Sequence, residues 1–374
     1  MSERVRPSGR FAWPVRRRTP GPDGTAEDIA VQDVAEREAA DRRLPPPEPE
    51  PLIDPPPRFN LAIFRLAALG LALVLALGLA LVRLFVGGPP SVADLRAQAH
   101  VDEWTVLEIG VKDDQPGTAF RNADGVWRGF DIDIAYMIAE DLGFRRDDVR
   151  FYAIESEDRS RMQAIDAKGN RVAVKLVIAS FSITAEREAT PGVNFSQAYL
   201  YTEQSVMTRR GKHKPVATLR DLQNEKVCSL STSTSAQALA NNQRYRIDTI
   251  SRNRISECID DLRKNRVDAV STDAAILAGY KAKYPDEFDH WDLGLDKTEA
   301  WGVNVGDNPP LRTLVDLTLY RSLHNPKDDR WEVAYRNNLQ SEASENQKTP
   351  IAVAQQPEVT RPDVRELPWE DVFE

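Results

Sequence analysis

The 374-residue sequence is poor in the soft ligands that metal chemistry needs. It holds two cysteines and four scattered histidines, His100, His213, His290 and His324. These build neither a zinc ribbon nor a dense metal site, and nothing in the sequence calls for a cofactor. An excess of positive charge is missing as well. Asp and Glu number 58 against 49 Lys and Arg, for a net charge of −9. Such a chain has little to release counterions from a phosphate backbone, so nucleic acid is not an expected partner. No Ser/His/Asp or paired-carboxylate constellation stands out, which argues against an enzyme. Long apolar runs are absent too, with one exception.

That exception is Leu66–Val82, seventeen residues of Leu, Ala, Val and Gly only. With its flanks it forms a span over 59–86, long enough for a hydrocarbon core of roughly 30 Å, with Arg65 and Arg83 reaching the two surfaces. Some 58 residues precede it, unlike a secretory signal, so it reads as a retained anchor in the lipid bilayer. Residues 1–58 have no hydrophobic period and end in Pro-rich runs, which predicts a disordered tail. Arg4, Arg6, Arg10, Arg16, Arg17 and Arg18 open this tail, and Arg42, Arg43 and Arg58 lie nearer the span, whereas Arg83 and Arg96 are the nearest arginines after it. The positive-inside bias then makes this a single-pass protein of the cell membrane, with a cytoplasmic N-terminus and everything beyond Gly87 outside.

Residues 87–103 read as a tether, and 341–374, polar and proline-dotted, as a second disordered tail. Between them, short β-rich runs alternate with helical periods, which predicts an α/β fold. Strands are expected at 105–111, 149–154, 172–179, 226–230, 267–272 and 302–305. Ile132, Ala135, Ile138, Ala139 and Leu142 share a helix face, with Asp131 as its N-cap and Gly143 as its stop. Helices are also expected over 254–264, 274–284 and 311–323. Cys228 falls in a strand and Cys258 on a helix. Outside the cell, an even count favours a disulfide between them.

The order of segments then resembles family 3 extracellular solute-binding proteins, the amino-acid-binding components of ABC importers. Ile109-Gly-Val-Lys-Asp-Asp-Gln-Pro-Gly117 and Gly125-Val-Trp-Arg-Gly-Phe-Asp-Ile-Asp-Ile134 resemble the family's opening. Glu155–Arg159, Ala179–Arg187, Asn194–Tyr199, Val227–Ser235, Val267–Asp273 and Trp301-Gly-Val continue it in register over about 104–340. The opening, the Val-Cys-Ser element and the Asp273–Gly279 run are most similar to the glutamate-type binders of actinobacteria. The resemblance implies a two-lobed periplasmic-binding-protein-like (type II) clamshell. Lobe 1 would combine 104–208 with 302–340. Lobe 2 and the hinge crossings would occupy 209–301, and ligand would bind between the lobes.

A free acidic amino acid carries two carboxylates and one ammonium, and a cleft that desolvates it needs partners for all three. The Arg187 fork suits a planar carboxylate better than Lys would. The resemblance gives it the α-carboxylate, with contacts from Ser180 and Ser182. Asp273 would bind the ammonium by resemblance, although an Asp between strand and helix also suits an N-cap. Ser231–Ser235, including Thr234, lies where a strand meets a helix and could meet a carboxylate through hydroxyls and amides. It lacks the family's usual glycine there. Lys112, and Arg159 with Ser156, resemble the cations and contact that acidic-ligand binders place at the side-chain carboxylate.

Three functions compete. The first is a binding protein that captures glutamate, or else aspartate or glutamine, for an ABC permease and ATPase. The second is a sensor that reports occupancy to a membrane or kinase system, which the long N-terminal tail favours. The third is an enzyme, because dehydratases and lytic enzymes have reused this fold.

Overall fold

The computed structural model describes residues 61–85, 88–293, 298–340 and 356–365. The expected tail 1–58 lies outside the described residues. Helix α1 (Leu61–Phe85, LAIFRLAALGLALVLALGLALVRLF) carries exposed leucines on every side. Its stretch Leu61–Val82 is long and apolar enough to cross a membrane. Between Arg65 and Arg83 the helix has no polar face to turn to water.

After Phe85 the expectation of a bare tether over 87–103 does not hold. Ser91 caps helix α2 (Val92–Gln98) in a reciprocal box with Asp94, and Leu95, Ala99 and Val101 are buried in the core. Strand β1 (Leu107–Val111) follows, then a small meander of β2 (Asp114–Gln115), β3 (Ala119–Arg121) and β4 (Trp127–Arg128). Helix α3 (Phe130–Asp141) begins at an N-cap of Gly129, so Asp131 is not the cap but lies inside the first turn. Gly129 is required there: its φ is +128°, and a Cβ would sit 2.3 Å from the Thr118 carbonyl oxygen. Strands β5 (Val149–Ala153), β6 (Gln163–Ile165), β7 (Arg171–Ala173), β8 (Leu176–Val177), the short helix α4 (Ala185–Glu188) and β9 (Phe195–Thr202) complete the first pass. The strand expected over 172–179 is thus two strands, interrupted where Val174 donates to the Met162 carbonyl and Lys175 to the Glu108 carbonyl.

A single residue, Glu203, separates β9 from β10 (Gln204–Arg209), which opens the second lobe. There β11 (Lys226–Leu230), α5 (Thr234–Asn241), β12 (Asp248–Arg252), α6 (Ile255–Arg263), β13 (Ala269–Asp273), α7 (Ala274–Lys283) and β14 (Phe288–Asp292) alternate. The chain returns through β15 (Glu299–Asn304), α8 (Pro309–His324) and α9 (Arg330–Tyr335). The first sheet has the order β7-β6-β5-β1-β8-β15-β9 and the second β12-β11-β13-β10-β14. In each, the parallel strands (β1 with β5 and β8, β11 with β12 and β13) are joined to antiparallel neighbours contributed by the crossings.

The core of the first lobe stacks Phe130 edge-on against Trp331 at 5.6 Å, with Tyr199 and Trp301 fully buried beside them. In the second lobe Cys228 of β11 is bonded to Cys258 of α6, with the Cα atoms 5.4 Å apart. Both were expected to pair, and the apolar face of α6 (Ile255, Ile259, Leu262) explains why Cys258 points to the sheet.

The expected tail over 341–374 is also not bare throughout. Residues 356–365 lie along the first lobe, with Val359 and Val364 buried. Gln197 donates to the Thr360 carbonyl at 2.8 Å and accepts from its N–H at 2.7 Å. Arg365 pairs with Ser91 in a parallel bridge. Two buried valines, the paired bonds to Gln197 and the bridge to Ser91 together dock a segment whose composition reads as disordered.

Candidate ligand-binding site

The parallel strands of both lobes end at the same gap, the crevice beyond carboxyl ends where open α/β sheets hold ligands. From the first lobe come Gln115, Arg159, Ser180, Ser182 and Arg187. The second lobe supplies Leu230, Ser233, Thr234, Thr272, Asp273 and Ile276. The lobes meet across this gap, and the free space left between them is about 10 Å3. That is about what one water requires. Any molecule larger than water enters this space only with the lobes apart.

Arg187 reaches this gap because Thr184 caps α4, its hydroxyl oxygen accepting from the Arg187 N–H. Its guanidinium donates to the Ser182 carbonyl at 2.7 Å and across the gap to the Thr232 carbonyl at 2.9 Å. Burial pushes its pKa down. Arg159 donates to the carbonyls of Ser156, Ala179 and Ser180. Burial first, and then the charge of Arg187, push it down to about 9, which leaves it a cation at neutral pH.

Asp273 occupies the N-cap position of α7, yet its side chain makes no cap bond. It accepts instead from the Trp301 indole N–H at 2.6 Å. Burial, reinforced by Glu299, raises its pKa to about 7. Thr234 donates to Glu299 at 2.9 Å, so a residue of β15 in the first lobe holds the first turn of α5 in the second.

Six residues singled out from the sequence therefore meet around one cavity: Arg159, Ser180, Ser182, Arg187, Thr234 and Asp273. Lys112 and Ser156 do not line it. Lys112 is 2% exposed and turns away to the Ile154 carbonyl (3.1 Å) and the Ser156 hydroxyl (3.4 Å), with Glu155 at 3.9 Å. Burial lowers its pKa, and the neighbouring acids Asp114 and Glu155 oppose that shift. Gln115 and Glu299 escaped the sequence reading. Gln115 was visible inside the Lys-x-Asp-Gln-Pro-Gly element, whereas nothing local marks Glu299.

The model of bacterial extracellular solute-binding proteins, family 3, matches residues 107–265. Glutamate-binding protein GluB of Corynebacterium glutamicum is 31% identical over 240 residues, spanning 58% of this chain and 77% of GluB. The chain belongs to the family 3 extracellular solute-binding proteins. The two-lobed type II fold expected of this solute-binding protein is also that of an ancestral arginine-binding protein bound to glutamine. That structure aligns with a TM-score of 0.54 and 26% identity over 63% of this chain and 97% of its own. Membrane-bound lytic murein transglycosylase F of Pseudomonas fluorescens is 26% identical over 216 residues, but only 42% of that enzyme is covered. The family is one of binding proteins, and the likeness to the enzyme is confined to less than half of it.

Proposed function

We propose that this solute-binding protein captures an acidic amino acid, glutamate in the first place, and presents it to an ABC importer. The observation that carries the reading is the charge around the cavity: two guanidinium groups, Arg159 and Arg187, face one carboxylate, Asp273. Glutamate has the inverse set, two carboxylates and one ammonium, so each charge that lines the cavity finds an opposite. Arg187, with Ser180 and Ser182, takes the α-carboxylate. Asp273 takes the ammonium, and Arg159 the side-chain carboxylate. Thr234 adds a hydroxyl, and the Ser156 carbonyl supports Arg159 from behind, with the Ser156 hydroxyl held by Lys112. The similarity to a glutamate-binding protein supports the same ligand.

Helix α1 anchors the protein as a single-pass membrane protein, with the N-terminus cytoplasmic and the lobes outside. Protease added to intact cells should cut the exposed end and spare the first 58 residues; the opposite pattern would reverse the topology. Calorimetry of the detergent-solubilised chain against the twenty amino acids tests the ligand. Glutamate should bind most tightly, and equal heats for neutral amino acids would overturn the acidic preference.

A further inference from the structure

Asp131 lies in the Gly-Phe-Asp-Ile-Asp element, where it reads as a helix cap, and the structure gives it a different task. It is fully buried and does not line the cavity. One carboxylate oxygen accepts the Ser180 N–H at 3.0 Å and lies 3.4 Å from the Ser180 hydroxyl. The other accepts the Tyr199 hydroxyl at 3.0 Å. Ser180 has a φ of +49°, a left-handed conformation that costs a residue with a Cβ free energy unless its surroundings enforce it.

From that held residue two cavity groups are fixed. The Ser180 carbonyl accepts from Arg159 at 2.8 Å, and its hydroxyl donates to Gln115 at 2.8 Å. Burial raises the Asp131 pKa to about 7, against the bonds from Tyr199 and Ser180, because desolvation disfavours the charged form.

We propose that Asp131 is the positioning residue of the first-lobe half of the site: it holds Ser180 in its left-handed conformation and, through it, aims Arg159 and Gln115 at the ligand. Such a buried support reduces the ordering that binding would otherwise demand. The effect on affinity rests on the amino-acid reading of the cavity; the effect on Ser180 does not.

Two readouts on the full chain in detergent separate them. In Asp131→Ala, Ser180 loses the acceptor of its buried N–H. Hydrogen exchange followed by mass spectrometry should show faster exchange at the Ser180 amide without any ligand, by at least about tenfold. Glutamate and glutamine affinity should both fall, by about ten- to hundred-fold, at temperatures where far-ultraviolet circular dichroism shows the variant fully folded.

Asp131→Asn should restore most of both, because its carbonyl oxygen can accept from Ser180 while its amide donates to Tyr199. Should the alanine variant fail to fold, Asp131→Ser, polar but too short to reach both partners, replaces it. Unchanged Ser180 exchange overturns the proposal, as does loss of protection with normal glutamate binding. An asparagine variant as damaged as alanine overturns the hydrogen-bond account. A wild-type protein that binds no amino acid counts against the proposed function, and the exchange arm still decides this inference.

Discussion

Arg159 and Arg187 both lie over the ring of Phe181, with guanidinium carbons 4.5 and 4.9 Å from its centre. The charge of Arg187 adds to burial in lowering the hold of Arg159 on its proton, and an anion beside them relieves the repulsion. Removing either leaves a ligand carboxylate under-paired in a closed cleft, at about 2–5 kcal/mol. Arg187→Ala should abolish binding of every amino acid, since the α-carboxylate is common to all. Arg159→Met should weaken glutamate at least about thirty-fold and glutamine far less. Lys112→Met should separate the two ligands less, because its ammonium is already spent on the Ile154 carbonyl, Ser156 and Glu155. Titration calorimetry reads all three, and equal losses of both ligands in Arg159→Met would sink the acidic-ligand assignment. Asp273 adds a pH dependence. With its pKa raised to about 7, it is largely protonated below that pH and must ionise to pair with an ammonium. Affinity should therefore rise with pH through 7, by up to about tenfold per unit below it. Proton release on binding, measured in buffers of different ionisation enthalpy, should vanish in Asp273→Asn.

Helix α6 and strand β11 show how one element serves two ends. The inner face of α6 carries Cys258 to the disulfide. Its N-terminal turn faces the other lobe, where the Ser256 N–H and hydroxyl both donate to Asp114 at 3.0 Å. Arg254, just before it, bridges Asp113 and Glu155. The disulfide closes a loop of 30 residues, for which the chain-entropy model gives about 3–4 kcal/mol. Replacing both cysteines by serine should lower the stability of the second lobe by about that amount. Chemical denaturation reads this directly. The first lobe, whose core contains no disulfide among its described residues, should unfold unchanged under reductant. Because α6 also carries the contacts to Asp113, Asp114 and Glu155, the same loss should weaken closure.

For the molecule as a whole, closure is limited by how near α7 comes to the opposite lobe. Gly279 faces the Pro116 carbonyl, where a Cβ would stand 1.7 Å from its oxygen. The Tyr280 hydroxyl of the same helix donates to the Asp114 carbonyl. Gly279→Ala raises helix propensity, so the second lobe should not be weakened, yet the lobes can no longer meet. We expect a more open particle by small-angle scattering at saturating glutamate, and an equal loss of affinity for glutamate and glutamine. A variant that scatters and binds like wild type would show that the contact at α7 is not where closure stops. The ionic contacts of Arg254 span the same gap and are only half-buried, so screening should loosen closure as salt is raised. Light scattering in rising salt does not test this; intramolecular distance measurements between labelled lobes do.

The long apolar helix, the alternation of strands and helices, and the partners Cys228 and Cys258 are local or compositional facts, and the sequence carries them. An apolar run over seventeen residues is visible in composition alone, and a helix stripe fixes which face meets a sheet. Arg159, Ser180, Ser182, Arg187, Thr234 and Asp273, which line one cavity, could be singled out because their segments resemble a known order, not because any residue alone declares a ligand. Tertiary structure decided the rest. It turned the Lys112 ammonium behind the cavity, since the direction of a buried lysine depends on which carbonyls and acids surround it. Asp131 changed from a helix cap into a support for Ser180, because Gly129 took the cap and Ser180 came from 49 residues away. Tertiary packing also set Glu299 against Thr234 and docked 356–365 on the first lobe, through contacts between segments far apart in the chain. Long-range pairing of this kind leaves no period in the sequence, because what each residue meets is fixed only when the lobes pack.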